Sequence, residues 1–339
     1  MKENANRIDV HHHYNPKTYT DALYRYTSGA SDRVIAVKPW TLEKTLTIMD
    51  DLEIDIALLS ITNPGVDPIV RASHDDGLKM CRIINEEGAE LCSKNPRFGV
   101  LATLPFPDFD ACVEEARYAL DVLHLDGVVL MSNYGDKFLG DPEFDDLFDQ
   151  LNKSRAVVHV HPVSPPPEIA QPKFLPFDFI QEFTFNTTRA GSNLVFSGTM
   201  ERCPNVRIIL AHAGGCLPYL TWRIEMTQKY SIDLVKDELV AERWASLRKP
   251  ASDYFAQFYY DTALSTNKTQ IESIRNMDPS HLLFGTDAHY APEYAGREFV
   301  EFINNYENFD DDYRRKINYE NAYALFPRFN KQLVQGNAD

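Results

Sequence analysis

Nowhere in the 339 residues does an apolar run approach the roughly 20 residues needed to cross a bilayer as a helix, so no membrane span is expected. Positive charge is scarce. Lys plus Arg number 34 against 50 Asp plus Glu, giving a formal net charge of −16. An acidic body of this kind repels phosphate backbones and anionic membrane surfaces, so neither nucleic acid nor a membrane is an expected partner. The five cysteines, Cys81, Cys92, Cys112, Cys203 and Cys216, show no paired spacing. They fit reduced, mostly buried thiols in a cytoplasmic protein better than a disulfide framework. Met1 to Arg7 is polar and leads into histidines, unlike a signal peptide. No Gly-x-Gly-x-x-Gly follows the first apolar run, so the nucleotide signature of a doubly wound sheet is missing. Internal repeats and low-complexity segments are missing too.

What the chain does contain is an alternation of short apolar runs with longer amphipathic stretches. Residues 7–13, 54–61, 98–104, 127–131, 156–161, 206–211, 258–262 and 282–285 read as buried strands, each bounded by Pro, Gly, Asp or Asn. Between them "TLEKTLTIMDDL" places Leu42, Leu46 and Met49 on one helical face behind a Thr41 cap. "DFDACVEEARYALDVL" and "DPEFDDLFDQLN" behave alike, the second with Asp141 as cap and Pro142 at the first helical position. "FNTTRAGSNLVFSGTMERCP" reads as one longer helix ending at Pro204. Eight strands alternating with helices over this length predict a single (β/α)8 TIM barrel spanning residues 1–339. "VSPPPEIAQPKFLPFD", after the fifth strand, is either a stiff surface connection or a lid. The tail after about Phe326 reads as a frayed end.

Catalytic groups of such barrels stand at the C-terminal ends of the strands. Seven of the ten histidines fall there: His11, His12, His13, His159, His161, His212 and His289. Side chains alternate along a strand, so His11 and His13 share a face while His12 turns toward the helix layer. The same alternation places Asp9 on the His11 face, one layer deeper. His161 stands nearer the rim than His159, which reads as a hydrogen-bonded core residue. His11, His13 and His161 with Asp287 make a nitrogen-rich donor set suited to one Zn²⁺, with Mn²⁺ or Fe²⁺ as alternatives. His212 precedes "AGG" and suits general acid–base work beside the metal, with ligation as the lesser option. No organic cofactor is implied.

Asp9-x-His11-x-His13, His161-Pro162, His212-Ala-Gly-Gly and Gly285-Thr286-Asp287 together resemble the amidohydrolase-related metal-dependent decarboxylases. That group includes aminocarboxymuconate-semialdehyde, γ-resorcylate and methylsalicylate decarboxylases. "RFGVLATLPFPD", "GVVLMSNYGDKFLGDPEFDDLF" and "VVHVHPVSPPP" look nearest to the methylsalicylate branch, and the resemblance runs from Ile8 to "KINYENAYALF". It implies His11, His13, His161 and Asp287 as metal ligands, with His212 contacting the metal-bound water or substrate. It also implies Arg223, eleven residues on, as a group that steadies a carboxylate, in some members from a neighbouring subunit. A homo-oligomer, dimer or tetramer, is expected on that ground alone. Two departures stand out. Gly215 occupies the place of a glutamate in the resorcylate branch, and a second substrate arginine has two candidates, Arg25 and Arg33.

The expected activity is non-oxidative decarboxylation of a small aromatic or enol-type carboxylic acid, with His212 and Asp287 handling the proton. A single-metal hydrolase or hydratase of the lactonase kind is the alternative, because zinc makes hydroxide available near neutrality. The fourth strand ends "VVLMSNYG", with no lysine before Lys137 to bridge two ions, which favours one metal. A barrel that binds metal without catalysis is the remaining option. Tyr14, the Asn133–Gly135 stretch and the proline-rich segment are the expected pocket walls.

Overall fold

Parallel strands need a crossover to bring the chain back to the starting edge, and here each strand is followed by a helix that does so. The computed structural model describes residues 7–27, 37–166 and 168–330. The strands are β1 (Ile8–His13), β2 (Ile56–Ser60), β3 (Phe98–Ala102), β4 (Gly127–Met131), β5 (Val157–His161), β6 (Arg207–Leu210), β7 (Tyr259–Asp261) and β8 (Leu282–Leu283). They lie in one sheet in sequence order, and every neighbouring pair is parallel. The principal returning helices are α1 (Leu42–Asp51), α2 (His74–Lys94), α3 (Phe109–Asp121), α4 (Asp145–Lys153), α5 (Glu182–Phe196), α6 (Leu217–Ser231), α7 (Lys268–Arg275) and α8 (Glu293–Asn305). Thr41 caps α1 as its sequence predicts, Asp108 caps α3, and Asp141 makes no side-chain cap bond at the short 3-10 turn Pro142–Phe144 before α4. The architecture is the expected (β/α)8 barrel. All eight strands fall within their predicted runs.

The barrel closes between β1 and the irregular backbone after β8. Val10 N–H donates to the Phe284 carbonyl (3.0 Å), Asp287 N–H to His11 (2.8 Å) and His13 N–H to Ala288 (3.2 Å). Alternate residues of the strands sort into two cores. Ile56, Leu58, Leu101, Val129, Val157, Ile209, Tyr259 and Leu283 fill the interior with Ile8 and Val10, while Ala57, Leu59, Val100, Val128, Val158 and Ile208 pack outward against the helices.

Two expectations need correction. The helix read as continuous to Pro204 stops at Phe196, because Gly198 adopts a left-handed φ of +74° before a short helix, Thr199–Arg202. The chain end from Phe326 to Asn330 is not frayed. Phe326 and Phe329 are buried in the interior cluster, at the end of the barrel opposite the histidines, and Arg328 is ion-paired to Asp126. Two large apolar rings can leave water there, which the polar look of the tail conceals. Residues beyond 330 lie outside the described residues. The proline-rich stretch forms no helix or strand among its described residues up to Phe177.

Close packing of β4 on β5 leaves no space for a side chain at Gly127, where a Cβ would sit 2.3 Å from the Val157 carbonyl oxygen. Gly127→Ala is therefore expected to destabilise the fold by about 1–3 kcal/mol. A thermal unfolding midpoint equal to that of the parent protein would contradict this register.

Candidate metal centre and its cavity

Strict alternation from Ile8 and Val10, which face the interior, would put His12 inside and His11 and His13 outside. The reverse is observed, because β1 carries one extra residue. Asp9 is level with Ala57 but His12 with Leu59, a bulge that shifts the phase of the strand. His11 and His13 thereby enter the barrel, where His159 and His161 already point. Asp9 does not lie on the His11 face as alternation implied. Its carboxylate turns to the seam with β8, accepting from His12 Nδ1 (3.0 Å), from the N–H groups of His11 (3.0 Å) and Thr286 (3.1 Å), and from the Thr286 hydroxyl. His12 stands clear of the central cluster, edge to face with His289.

His11, His13, His161 and Asp287 each present one ligand atom, and these atoms lie within 4.8 Å of one another. The imidazoles are oriented alike. His11 Nδ1 faces Asp261 Oδ2 (2.9 Å), His13 Nδ1 faces the Ser60 carbonyl (3.3 Å) and His161 Nδ1 faces the Pro162 carbonyl (2.7 Å). With Nδ1–H donated outward, Nε2 is the nitrogen each ring turns to the centre. His11 Nε2 and His13 Nε2 are 3.0 Å apart, and Asp287 Oδ1 lies 3.0 Å from His13 Nε2 and 3.5 Å from His11 Nε2. Asp287 Oδ1 is buried without a hydrogen-bond partner. Three imidazole nitrogens and an orphaned carboxylate oxygen form a donor set that fits a divalent ion. A second cluster, His11, His159 and Asp261, lies one layer down. There His159 Nε2 faces Asp261 Oδ2 (3.0 Å), so His159 is the hydrogen-bonded core residue the sequence implies.

The charges of the centre follow from burial and neighbours. Burial depresses His13, with the His11 charge adding to it. Burial and the surrounding imidazoles drive His161 far down, so both offer free lone pairs at neutral pH. Burial alone would also depress His11, but the Asp261 carboxylate outweighs it and raises His11 to about 9. Burial opposes ionisation of Asp287, yet the imidazoles around it hold its carboxyl well below the usual range.

His212 stands on the open side. Its Nε2 is 3.7 Å from Asp287 Oδ2, and both ring nitrogens are buried without partners. Its φ is +55° and that of Ala213 is +56°, a tight left-handed turn that swings the ring over the centre. Gly215 follows with φ +64°, and a Cβ there would meet the Thr184 carbonyl oxygen at 2.0 Å. No glutamate fits that position.

A cavity of about 390 Å³ opens above these groups. Phe179, Ile180, Phe183, Leu264 and Pro292 form its apolar wall, with Thr62, Asn63, Ser265 and Tyr290 supplying polar atoms. No Lys or Arg lines it among the described residues. Arg223 lies exposed on α6 and Arg25 exposed on the helix Lys17–Tyr26, both away from the cavity of their own chain, and Arg33 lies outside the described residues. Tyr14 and Asn133–Gly135 are not cavity walls. Tyr14 is buried beside Trp40, and Tyr134 stacks on Phe106. Asp261 went unnoticed in the sequence because a strand-end acid carries no pattern comparable to His-x-His, and Asp9 and Thr286 stood there only as members of their motifs.

Because His11 keeps its proton up to about pH 9 while the other three donors are free, a divalent ion entering at pH 7 must expel that proton. Affinity is expected to rise from pH 6 to pH 9 and then level off. Calorimetry in buffers of different ionisation enthalpy should report about one proton released per ion. Heats independent of the buffer would count against this charge state.

The amidohydrolase family profile matches residues 8–328. The chain is similar to decarboxylase macB of Penicillium terrestre, 35% identical over 357 residues that cover 98% of this chain and 99% of that protein. It is likewise similar to 6-methylsalicylic acid decarboxylase acuB of Aspergillus aculeatus, 33% identical over 344 residues, with 97% and 98% covered. The solved structure of 5-carboxyvanillate decarboxylase from Novosphingobium aromaticivorans, complexed with manganese and 4-hydroxy-3-methoxy-5-nitrobenzoic acid, matches with a TM-score of 0.82. It is 20% identical, with 96% of this chain and 99% of that one covered, and this likeness speaks for the fold alone. With a profile that spans both ends of the barrel and relatives above 30% identity along nearly their whole length, the chain belongs to the amidohydrolase family.

Proposed function

We propose that the protein is a cytoplasmic, metal-dependent decarboxylase of a small hydroxybenzoate such as a methylsalicylate. The observation that carries this reading is a cavity with apolar walls that opens onto His161 and Asp287 of the donor set, whose other members His11 and His13 lie buried behind them. The names of its sequence relatives support it. A divalent ion held by those four residues would supply positive charge for a carboxylate and an adjacent hydroxyl. Zn²⁺ suits three imidazoles and a carboxylate, and Mn²⁺ is the alternative. His212, aimed into the cavity with Nε2 free, holds the proton that the ring carbon bearing the carboxylate must receive. Asp287 Oδ2, 3.7 Å away, lies within reach for returning a proton to it. Protonation at that carbon breaks aromaticity. The carbon–carboxyl bond then breaks, its electron pair restores the ring, and CO₂ leaves. Phe179, Phe183 and Leu264 exclude water, which strengthens each electrostatic contact inside. That Phe179 and Ile180, just past the proline-rich stretch, line the cavity supports reading that stretch as its lid.

The apoprotein reconstituted separately with Zn²⁺ and Mn²⁺ is expected to release CO₂ and the matching phenol from 6-methylsalicylate. His212→Asn should lower kcat by about 10²- to 10⁴-fold with metal content unchanged. Lactone hydrolysis without CO₂ release under either metal would sink the assignment and restore the hydrolase reading.

Among the described residues the cavity has no lysine or arginine of its own, while α6 turns Tyr219 (84% exposed), Trp222 (74%) and Tyr230 (75%) outward beside exposed Arg223. Aromatic surface of this extent supports association with a second copy, in which Arg223 reaches the neighbouring cavity and steadies the substrate carboxylate. Arg223→Ala is expected to leave the assembly intact and raise KM about ten- to hundredfold. Trp222→Glu should produce monomers with the same defect. A fully active monomer, sized by light scattering, would contradict the arrangement.

A further inference from the structure

One buried carboxylate serves two groups that the catalytic reading keeps separate. Asp261, at the end of β7, is fully buried and meets no lysine or arginine among the described residues. Its Oδ2 accepts from His11 Nδ1 (2.9 Å) and His159 Nε2 (3.0 Å), and its Oδ1 from the backbone N–H groups of His212 (3.0 Å) and Ala263 (3.0 Å). Four donors on one side chain leave no room for a proton on either oxygen, so Asp261 acts as acceptor only.

We propose that Asp261 is a positioning residue that sets the ring orientation of His11 and the backbone turn of His212 through the two oxygens of a single carboxylate. This rests on the assignment of His11 as a ligand and His212 as the acid–base group. On the Oδ2 side, accepting from Nδ1 leaves His11 only Nε2 to offer the centre, 3.0 Å from His13 Nε2. On the Oδ1 side, the accepted N–H belongs to a residue at φ +55°, a conformation that L residues with a Cβ disfavour. The turn's own bonds, Gly214 N–H to the Ala211 carbonyl (3.1 Å) and Gly215 N–H to the His212 carbonyl (3.0 Å), lie downstream. The anchor that fixes where the turn begins comes from β7. Gly285 makes room for this packing, since a Cβ there would stand 3.1 Å from both the Asp261 and His11 Cβ atoms.

Asparagine at this position has nearly the same shape but cannot accept on both sides. If its oxygen keeps the two backbone N–H groups, its amide NH₂ faces His11 Nδ1 and forces the proton onto Nε2, where the ion must bind. If it flips, the NH₂ meets two N–H donors instead. Either way one side loses its acceptor, and because both sides hang on one side chain the mismatch displaces it from the other partners too, so a single substitution disturbs both functions.

Asp261→Asn is therefore expected to raise the dissociation constant for Zn²⁺, measured by chelator competition, about ten- to hundredfold. With the ion at saturation, kcat should stay at least about tenfold below that of the parent protein with KM little changed, because the His212 anchor is not restored by metal. A role confined to packing predicts otherwise: a lower melting temperature, with the Zn²⁺ constant and the kcat of the folded, loaded protein unchanged. That outcome overturns the proposal. Should the variant fail to fold, proton–nitrogen spectra of the unmutated, Zn²⁺-loaded protein labelled at histidine decide the matter. His11 is expected to keep an exchange-protected Nδ1–H and to ligate through Nε2, and ligation through Nδ1 would overturn it. Absence of Zn²⁺ and Mn²⁺ binding by the parent protein would instead remove the catalytic reading itself.

Discussion

The bulge in β1 is the constraint from which the rest of the centre follows. One additional residue between Asp9 and His12 lets Ile8 and Val10 fill the barrel and still brings His11 and His13 inside above them. The same shift sends Asp9 and His12 to the seam with the chain after β8. There Asp9 binds both the N–H and the hydroxyl of Thr286, one residue before Asp287. Asp287 N–H in turn donates to the His11 carbonyl. Candidate ligands from the two ends of the chain are thus fixed by one local irregularity and by the bonds that close the barrel. Lys38 secures the outer side of the loop, donating to the carbonyls of His289 (2.7 Å) and Tyr290 (3.3 Å).

Three buried carboxylates, Asp9, Asp261 and Asp287, sit within this small volume. Buried charge is costly unless it is met by donors, and two of the three are fully met by imidazoles and backbone N–H groups. Asp287 keeps one oxygen unpaired, and His212 keeps both ring nitrogens unpaired. These unpaired atoms lie at the floor of the cavity, and the two carboxylates behind them are saturated. Such a division is what a reactive centre requires: fixed supports below, unspent donors and acceptors above.

The walls divide the labour in another way. An acidic protein whose cavity is lined by no lysine or arginine among the described residues has little there to draw an anion inward. Attraction must come from the charge at the floor or from outside the chain. The exposed aromatic face of α6, which carries Arg223, is the surface through which a second copy would supply it.

The sequence by itself determined the strands, the barrel and which four side chains, His11, His13, His161 and Asp287, gather in one cluster. Strand-end histidines stand out because few other places in a soluble protein concentrate them, and the apolar runs fix the strands because burial demands them. Gly215 was visible as a departure, but only the fold gave its reason, a carbonyl 2.0 Å from where a Cβ would lie. Tertiary structure alone decided where Asp9 points, since periodicity cannot foresee a bulge and sets Asp9 beside His11. It also decided the partners of Asp261, a residue whose neighbours in sequence are "YYDTA" and whose neighbours in space come from β1, β5 and the turn after β6. Local propensity acts over a few residues, whereas hydrogen-bond saturation of a buried carboxylate is settled by whatever the closed barrel brings within about 3 Å.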